Sequence, residues 1–143
     1  MNEGEWHKKV RRKLIQKFEK EGYTVESSHG EKSIRLYHGE PSDRTYLSEA
    51  DLILFNDSFI VKIVEIKYKD ITPKNMVGII KTTDLCDRCK IGKNIYDLHK
   101  IELLIFYKKQ LDESVKSDQL KLIKENLKLD GCLSNYYFKI MDE

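Results

Sequence analysis

SEADLILFNDSFIVKIVEIKYKD, residues 48–70, holds the two most apolar runs of the chain, ADLILF and FIVKIVEIKY, separated by Asn56, Asp57 and Ser58. Two such runs around turn-forming residues predict a β-hairpin. Because both faces of each run are apolar, the hairpin belongs at the centre of a sheet covered on both sides. Charges are costly in such a place. Yet Asp51, Glu65 and Lys67 stand at the ends of these runs.

Side chains on a strand alternate, so Phe59, Val61, Ile63, Glu65 and Lys67 share one side, and Asp51, Ile53 and Phe55 share one side of the partner. If Phe55 pairs with Phe59 across a three-residue loop, the two sets face the same way. Asp51 then lies opposite Ile63 and diagonal to Glu65, with backbones about 7–8 Å apart. A two-residue Asn56–Asp57 loop reverses the faces. The expectation is an odd-length loop or a bulge of equivalent effect. Two carboxylates at the edge of an apolar sheet repel each other and are poorly solvated, and one lysine does not neutralise both. A divalent cation does. Hard oxygen ligands select Mg²⁺ or Mn²⁺ and leave coordination positions for water and a phosphate oxygen. The plainer alternative makes Glu65 and Lys67 a surface pair worth ~0–1 kcal/mol and Asp51 a turn cap. Three polar interruptions on one face of a buried hairpin favour the site.

Upstream, Trp6, Val10, Leu14 and Phe18 recur every fourth residue, with Ile15 widening the stripe and Gly22 as the stop, which predicts an amphipathic helix. Glu3 and His7 fall on its apolar side, Glu5 and Glu19 on the other. Residues 8–20, KKVRRKLIQKFEK, hold seven basic residues and one acidic one. Such a face suits phosphate, or is simply a solvated helix surface. YTVESS and SIRLYH predict short strands, and residues 39–49 predict a loop.

Downstream of the hairpin, Thr72 and Pro73 predict an N-cap and first-turn proline for a helix through KNMVGIIKT. DLCDRCKIGKNIYDL predicts a shorter helix or irregular segment. IELLIFY predicts a buried strand, SDQLKLIKENLKL a helix capped by Ser117, and NYYFKI a final strand. Summed, the order is αβββαβ followed by αβ, an α/β fold with a central mixed sheet flanked by helices.

Asp51, thirteen intervening residues, then Glu65-Ile66-Lys67 resembles the motif of the PD-(D/E)XK nucleases, which include restriction endonucleases, archaeal Holliday-junction resolvases and RecB-like domains. The elements between about Glu3 and Tyr107 are similar in order to that family's αβββαβ restriction-endonuclease-like core, with the last helix and strand as an addition. The resemblance implies a metal-dependent nuclease hydrolysing phosphodiester bonds in nucleic acid, DNA by preference. It implies Asp51, Glu65 and the Ile66 carbonyl as ligands of Mg²⁺ or Mn²⁺, and Lys67 as the group that orients water or stabilises charge on the phosphate. Many members add an acid from the first helix, a role for which facing selects Glu3. His7, one turn on, is a metal or phosphate contact by the same token. Lys8, Arg11, Arg12 and, at the end of the second helix, Lys81 are the nucleic-acid contacts implied; Thr82 and Asp84 lie beside Lys81. Ala50 stands where the motif's nominal proline falls. The alternative is a catalytically silent nuclease-fold module that binds nucleic acid or a protein partner.

With 143 residues, one domain over residues 1–143 is expected. The net charge of +2 is too small to diagnose a nucleic-acid binder by itself. The longest apolar runs are strand-length, and neither a signal peptide nor a membrane span is read, so the expectation is a cytoplasmic protein without membrane contact. Cutting two strands would favour a homodimer. Cys86 and Cys89 in CDRC could recruit His99 and Cys132 to a zinc, or be ordinary reduced thiols; the odd count of three favours the latter.

Overall fold

The computed structural model describes residues 1–28, 33–109 and 115–141. In chain order the elements are α1 Glu3–Lys20, β1 Thr24–Ser27, β2 Ile34–Tyr37, β3 Tyr46–Glu49, β4 Leu52–Asn56, β5 Phe59–Lys67, α2 Pro73–Leu85, β6 Arg88–Ile91, β7 Asn94–Asp97, β8 Ile101–Lys108, α3 Ser117–Asn126 and β9 Leu133–Met141. A five-stranded sheet runs β1-β4-β5-β8-β9, and a second sheet of four strands runs β3-β2-β6-β7. In the large sheet β1, β4 and β5 pair antiparallel, while β5, β8 and β9 pair parallel, so the sheet is mixed.

The start of α1 is fixed by Asn2, whose side chain accepts from the Glu5 N–H at 2.9 Å. Its end is fixed by Gly22, at φ 99°, a left-handed conformation that glycine adopts without a Cβ clash. The stripe Trp6, Val10, Leu14 and Phe18 is buried against Leu52, Leu54, Val64, Ile66, Leu104 and Phe106 on one face of the large sheet. Truncating fully buried Trp6 to alanine would cost about 3–5 kcal/mol.

The opposite face carries Ile53, Phe55, Ile60, Ile63, Leu103 and Ile105. It is covered by α2 through Met76 and Ile80, by α3 through Ile123, and by the second sheet through Ile34, Leu36, Cys89 and Ile91. Thus β4 and β5 are central and covered on both faces, as their composition requires.

The hairpin closes with two residues, Asp57 and Ser58, between the paired Asn56 and Phe59. Asp57 takes φ 57°, the positive φ that short hairpin turns demand. The predicted three-residue loop is therefore replaced, but the equivalent bulge is present. Phe55 pairs with Ile60 and Leu54 with Lys62, leaving Val61 extra. The bulge puts Ile53 and Ile63 on one face, as expected of that pair, and shifts the register: Ile53 meets Ile63 and Leu52 meets Val64. The register ends there: the Asp51 N–H reaches the Val64 carbonyl, and the Asp51 carboxylate turns to His7 and Arg11 of α1.

Three further expectations are corrected. Residues 88–97 form the β6–β7 hairpin rather than a short helix or irregular segment, with Cys89 and Ile91 buried on one side and Gly92 at φ 60° in the turn. Residues 39–49 are not all loop, because Tyr46–Glu49 pairs with β2 as β3. The α3 cap is Lys116, whose N–H donates to the Gln119 side chain at 2.8 Å, with Ser117 already helical. The second sheet, absent from the expected core, contains SIRLYH as β2. Among the described residues, no helix is long and apolar enough to cross a membrane.

Candidate active site at the open end of the central hairpin

Asp51 occupies the bend before β4, and Glu65 and Lys67 the last turns of β5, so antiparallel pairing brings all three to one end of the large sheet. The Asp51 N–H donates to the Val64 carbonyl at 3.1 Å, and the Ile66 N–H donates to Asp51 Oδ2 at 2.7 Å. A strand residue turns its N–H and C=O to the same edge. The Ile66 carbonyl therefore faces the side on which Asp51 sits, as the implied ligand set needs.

From α1, His7 Nε2 lies 3.5 Å and the Arg11 guanidinium 3.9 Å from Asp51 Oδ1. Arg11 also donates to His7 Nδ1 at 3.1 Å. Because a guanidinium only donates, Nδ1 must accept, which assigns the proton of the neutral ring to Nε2, aimed at Asp51. Residues 7 and 11 are one helical turn apart, and this spacing is what lets both meet one carboxylate.

Burial pushes the Asp51 carboxyl up from the usual carboxylate range, although the Ile66 N–H, His7, Arg11 and Lys67 each oppose that shift. Glu65 is raised much further. Desolvation is the largest cause, followed by repulsion from Asp51, with Glu49 adding to it and Lys67 opposing. As a residue Glu65 is half-buried, but its Oε1 is sealed and has no hydrogen-bond partner among the described residues. A buried carboxylate oxygen without a donor is a place for a proton or a cation. The chemistry fits a hard divalent ion: two carboxylates and a main-chain carbonyl, all oxygen. Among the described residues no group of three or more His, Cys, Asp or Glu side chains is placed to hold a metal, so any ion here rests on two carboxylates and backbone.

The other expected residues lie around this centre or away from it. Glu3 is half-exposed at the start of α1 and pairs with Lys69 at 3.6 Å; it is not among the charges acting on Asp51 or Glu65. Lys8 and Arg12 are exposed on α1 beside Arg11. Lys81 is drawn elsewhere, donating to the Lys128 carbonyl at 2.8 Å. Asp84 is not a surface contact: 2% exposed, it accepts from the N–H groups of Asp130, Gly131 and Leu133 and so ties α2 to the start of β9.

The three cysteines are free and buried. Burial pushes the thiols of Cys86, Cys89 and Cys132 up to about 12, and the Cys86 and Cys132 thiols donate to the carbonyls of Thr82 and Thr83. Protonated buried thiols are chemically inert, and His99 is exposed. The Asp51–Arg11 contact was hidden in sequence; only the spacing of His7 and Arg11 pointed to it. The chain matches no protein-family model, no curated protein and no solved structure.

Proposed function

We propose that this protein is a metal-dependent nuclease that hydrolyses phosphodiester bonds in nucleic acid, DNA by preference, with Asp51, Glu65 and Lys67 at its centre. The observation that carries the reading is the apposition of Asp51 and Glu65 at one sheet end, with Glu65 Oε1 buried and lacking a donor. Setting the second sheet aside, α1, β1, β4, β5, α2 and β8 follow one another as αβββαβ, the order of the restriction-endonuclease-like core.

Asp51, Glu65 and the Ile66 carbonyl would hold Mg²⁺ or Mn²⁺, which when bound supplies Lewis-acid polarisation of a phosphoryl oxygen and acidifies water. The Lys67 ammonium stabilises negative charge developing on the phosphoryl group. The Ile66 N–H and, from α1, His7 orient the Asp51 carboxylate, beside which Arg11 stands as a cation that competes with the metal. Glu65 must give up its proton before it can ligate, so its raised pKa makes ion binding tighten as pH rises.

Incubation of plasmid and single-stranded DNA with Mg²⁺ or Mn²⁺ tests the proposal. Cleavage is expected, and it is lost in Asp51→Ala and Lys67→Ala; activity that survives both substitutions rules the assignment out.

A second reading is favoured by a different observation: His7, Arg11 and the Ile66 N–H already compensate the Asp51 charge. A nuclease-fold module that binds nucleic acid or a protein partner without cutting would need no metal there and would use the exposed Lys8 and Arg12 of α1 as its cationic anchor. It predicts DNA retention indifferent to Mg²⁺ and steeply weakened by salt.

A further inference from the structure

Between α1 and β1 runs a groove of about 490 Å³ lined by Lys8, Arg11, Arg12, Ile15, Gln16, Glu19 and Ser27. Its volume falls within the range of ~300–1,000 Å³ typical of clefts that enclose one small organic ligand. Its walls combine the aliphatic stems of two arginines and a lysine with Ile15, and its charges are sorted. Lys8, Arg11 and Arg12 lie toward the end where Arg11 reaches Asp51, and Gln16 and Glu19 lie toward the other. Along the helix, Arg12 and Glu19 are separated by roughly 10 Å at 1.5 Å per residue.

We propose that this groove holds one unpaired nucleotide next to the scissile phosphate, so that the substrate is nucleic acid with a single-stranded segment. This rests on the nuclease reading only for which phosphate is cut. The cationic end takes the flanking phosphate, because Glu19 repels an anion from the far end. The base lies against Ile15 and the flat Arg11 or Arg12 guanidinium, a surface on which any base stacks. Gln16 and Glu19 meet its polar edge. Arg11 belongs to both places, lining the groove and standing 3.9 Å from Asp51, which makes the two sites neighbours. A continuous duplex does not fit: its bases are stacked inside, and its major groove alone is about 12 Å wide.

The test is the binding of fluorescently labelled oligothymidylate to the intact protein in EDTA, where nothing is cut, with an unlabelled blunt duplex as competitor. Lys8 and Arg12 are exposed, so a Lys8→Ala/Arg12→Ala variant keeps the fold, which circular dichroism checks. The expected result is about tenfold weaker binding by this variant. The slope of log affinity against log salt falls by about 0.7 for each cation removed. The duplex competes about tenfold less well than unlabelled oligothymidylate. Unchanged affinity and slope in the variant, or equal competition by the duplex, overturns the groove. Its failure is distinguishable from that of the nuclease reading. A protein that binds through the groove but never cuts refutes the catalytic assignment alone, and one that cuts without needing Lys8 and Arg12 refutes the groove alone.

Discussion

Asp51 and Glu65 each stand one residue beyond the Leu52–Val64 pair, and their carboxylates are unequally satisfied: Asp51 takes the Ile66 N–H at 2.7 Å, whereas Glu65 Oε1 has no partner among the described residues. The imbalance is electrostatic in origin, since Glu65 meets desolvation and two neighbouring carboxylates with Lys67 as the opposing charge.

Glu65→Gln should therefore stabilise the metal-free protein at neutral pH. The folded state holds the Glu65 proton more tightly than the unfolded state does, so its contribution is favourable at acid pH and is lost as pH rises toward the folded-state pKa. Glutamine does not titrate. Thermal melts in EDTA should show Glu65→Gln higher than wild type by several degrees at neutral pH, with the difference vanishing below the ordinary glutamate range. A gain that grows on acidification would contradict the burial of this group.

Arg11→Met should have opposite effects on two ligands. Removing a cation 3.9 Å from Asp51 Oδ1 relieves competition with a metal, which should tighten Mn²⁺ binding about tenfold. The same change removes a groove cation and should weaken oligonucleotide binding. Calorimetry with each ligand checks the pair; weakening of both would make Arg11 a structural support of Asp51 instead.

Asp84→Ala should destabilise without touching the site. Each of the three N–H groups of Asp130, Gly131 and Leu133 left without its acceptor costs about 1–3 kcal/mol. Gly131→Ala should be worse than an ordinary surface change, because its Cβ would lie 1.8 Å from the Asp84 carbonyl oxygen. Urea denaturation measures both, and unchanged midpoints would refute the role given to Asp84.

The thiols of Cys86, Cys89 and Cys132, pushed up to about 12, should resist alkylation by iodoacetamide at mildly alkaline pH and react quickly in denaturant. Mass spectrometry counts the adducts; rapid labelling of the folded protein would show that these side chains open to solvent.

The helix α1 was legible because four large apolar residues repeat at one spacing, and the β4–β5 hairpin because its runs are apolar on both faces. The second sheet was not legible. Its strands are four residues long, too short for periodicity to separate from a loop, and β3 and β7 are largely exposed, so they carry no apolar run. In β6 the alternation of Cys89 and Ile91 with Arg88 and Lys90 was present but brief. Asp51, Glu65 and Lys67 stood out as charges where burial forbids them. The reach of Arg11 to Asp51 depends on how α1 lies across the sheet, and the burial of Asp84 on a partner 47 residues away, neither of which local pattern encodes.

Titration of Mn²⁺ into the protein, followed by electron paramagnetic resonance, tests the shared-cation claim most directly when wild type is compared with Asp51→Asn, Glu65→Gln and the double variant. One ion held between both carboxylates predicts a single site whose affinity falls at least about tenfold in either variant and little further in the double, since the two substitutions remove the same ion. Equal Mn²⁺ binding by all four proteins, or none by the wild type, would contradict it.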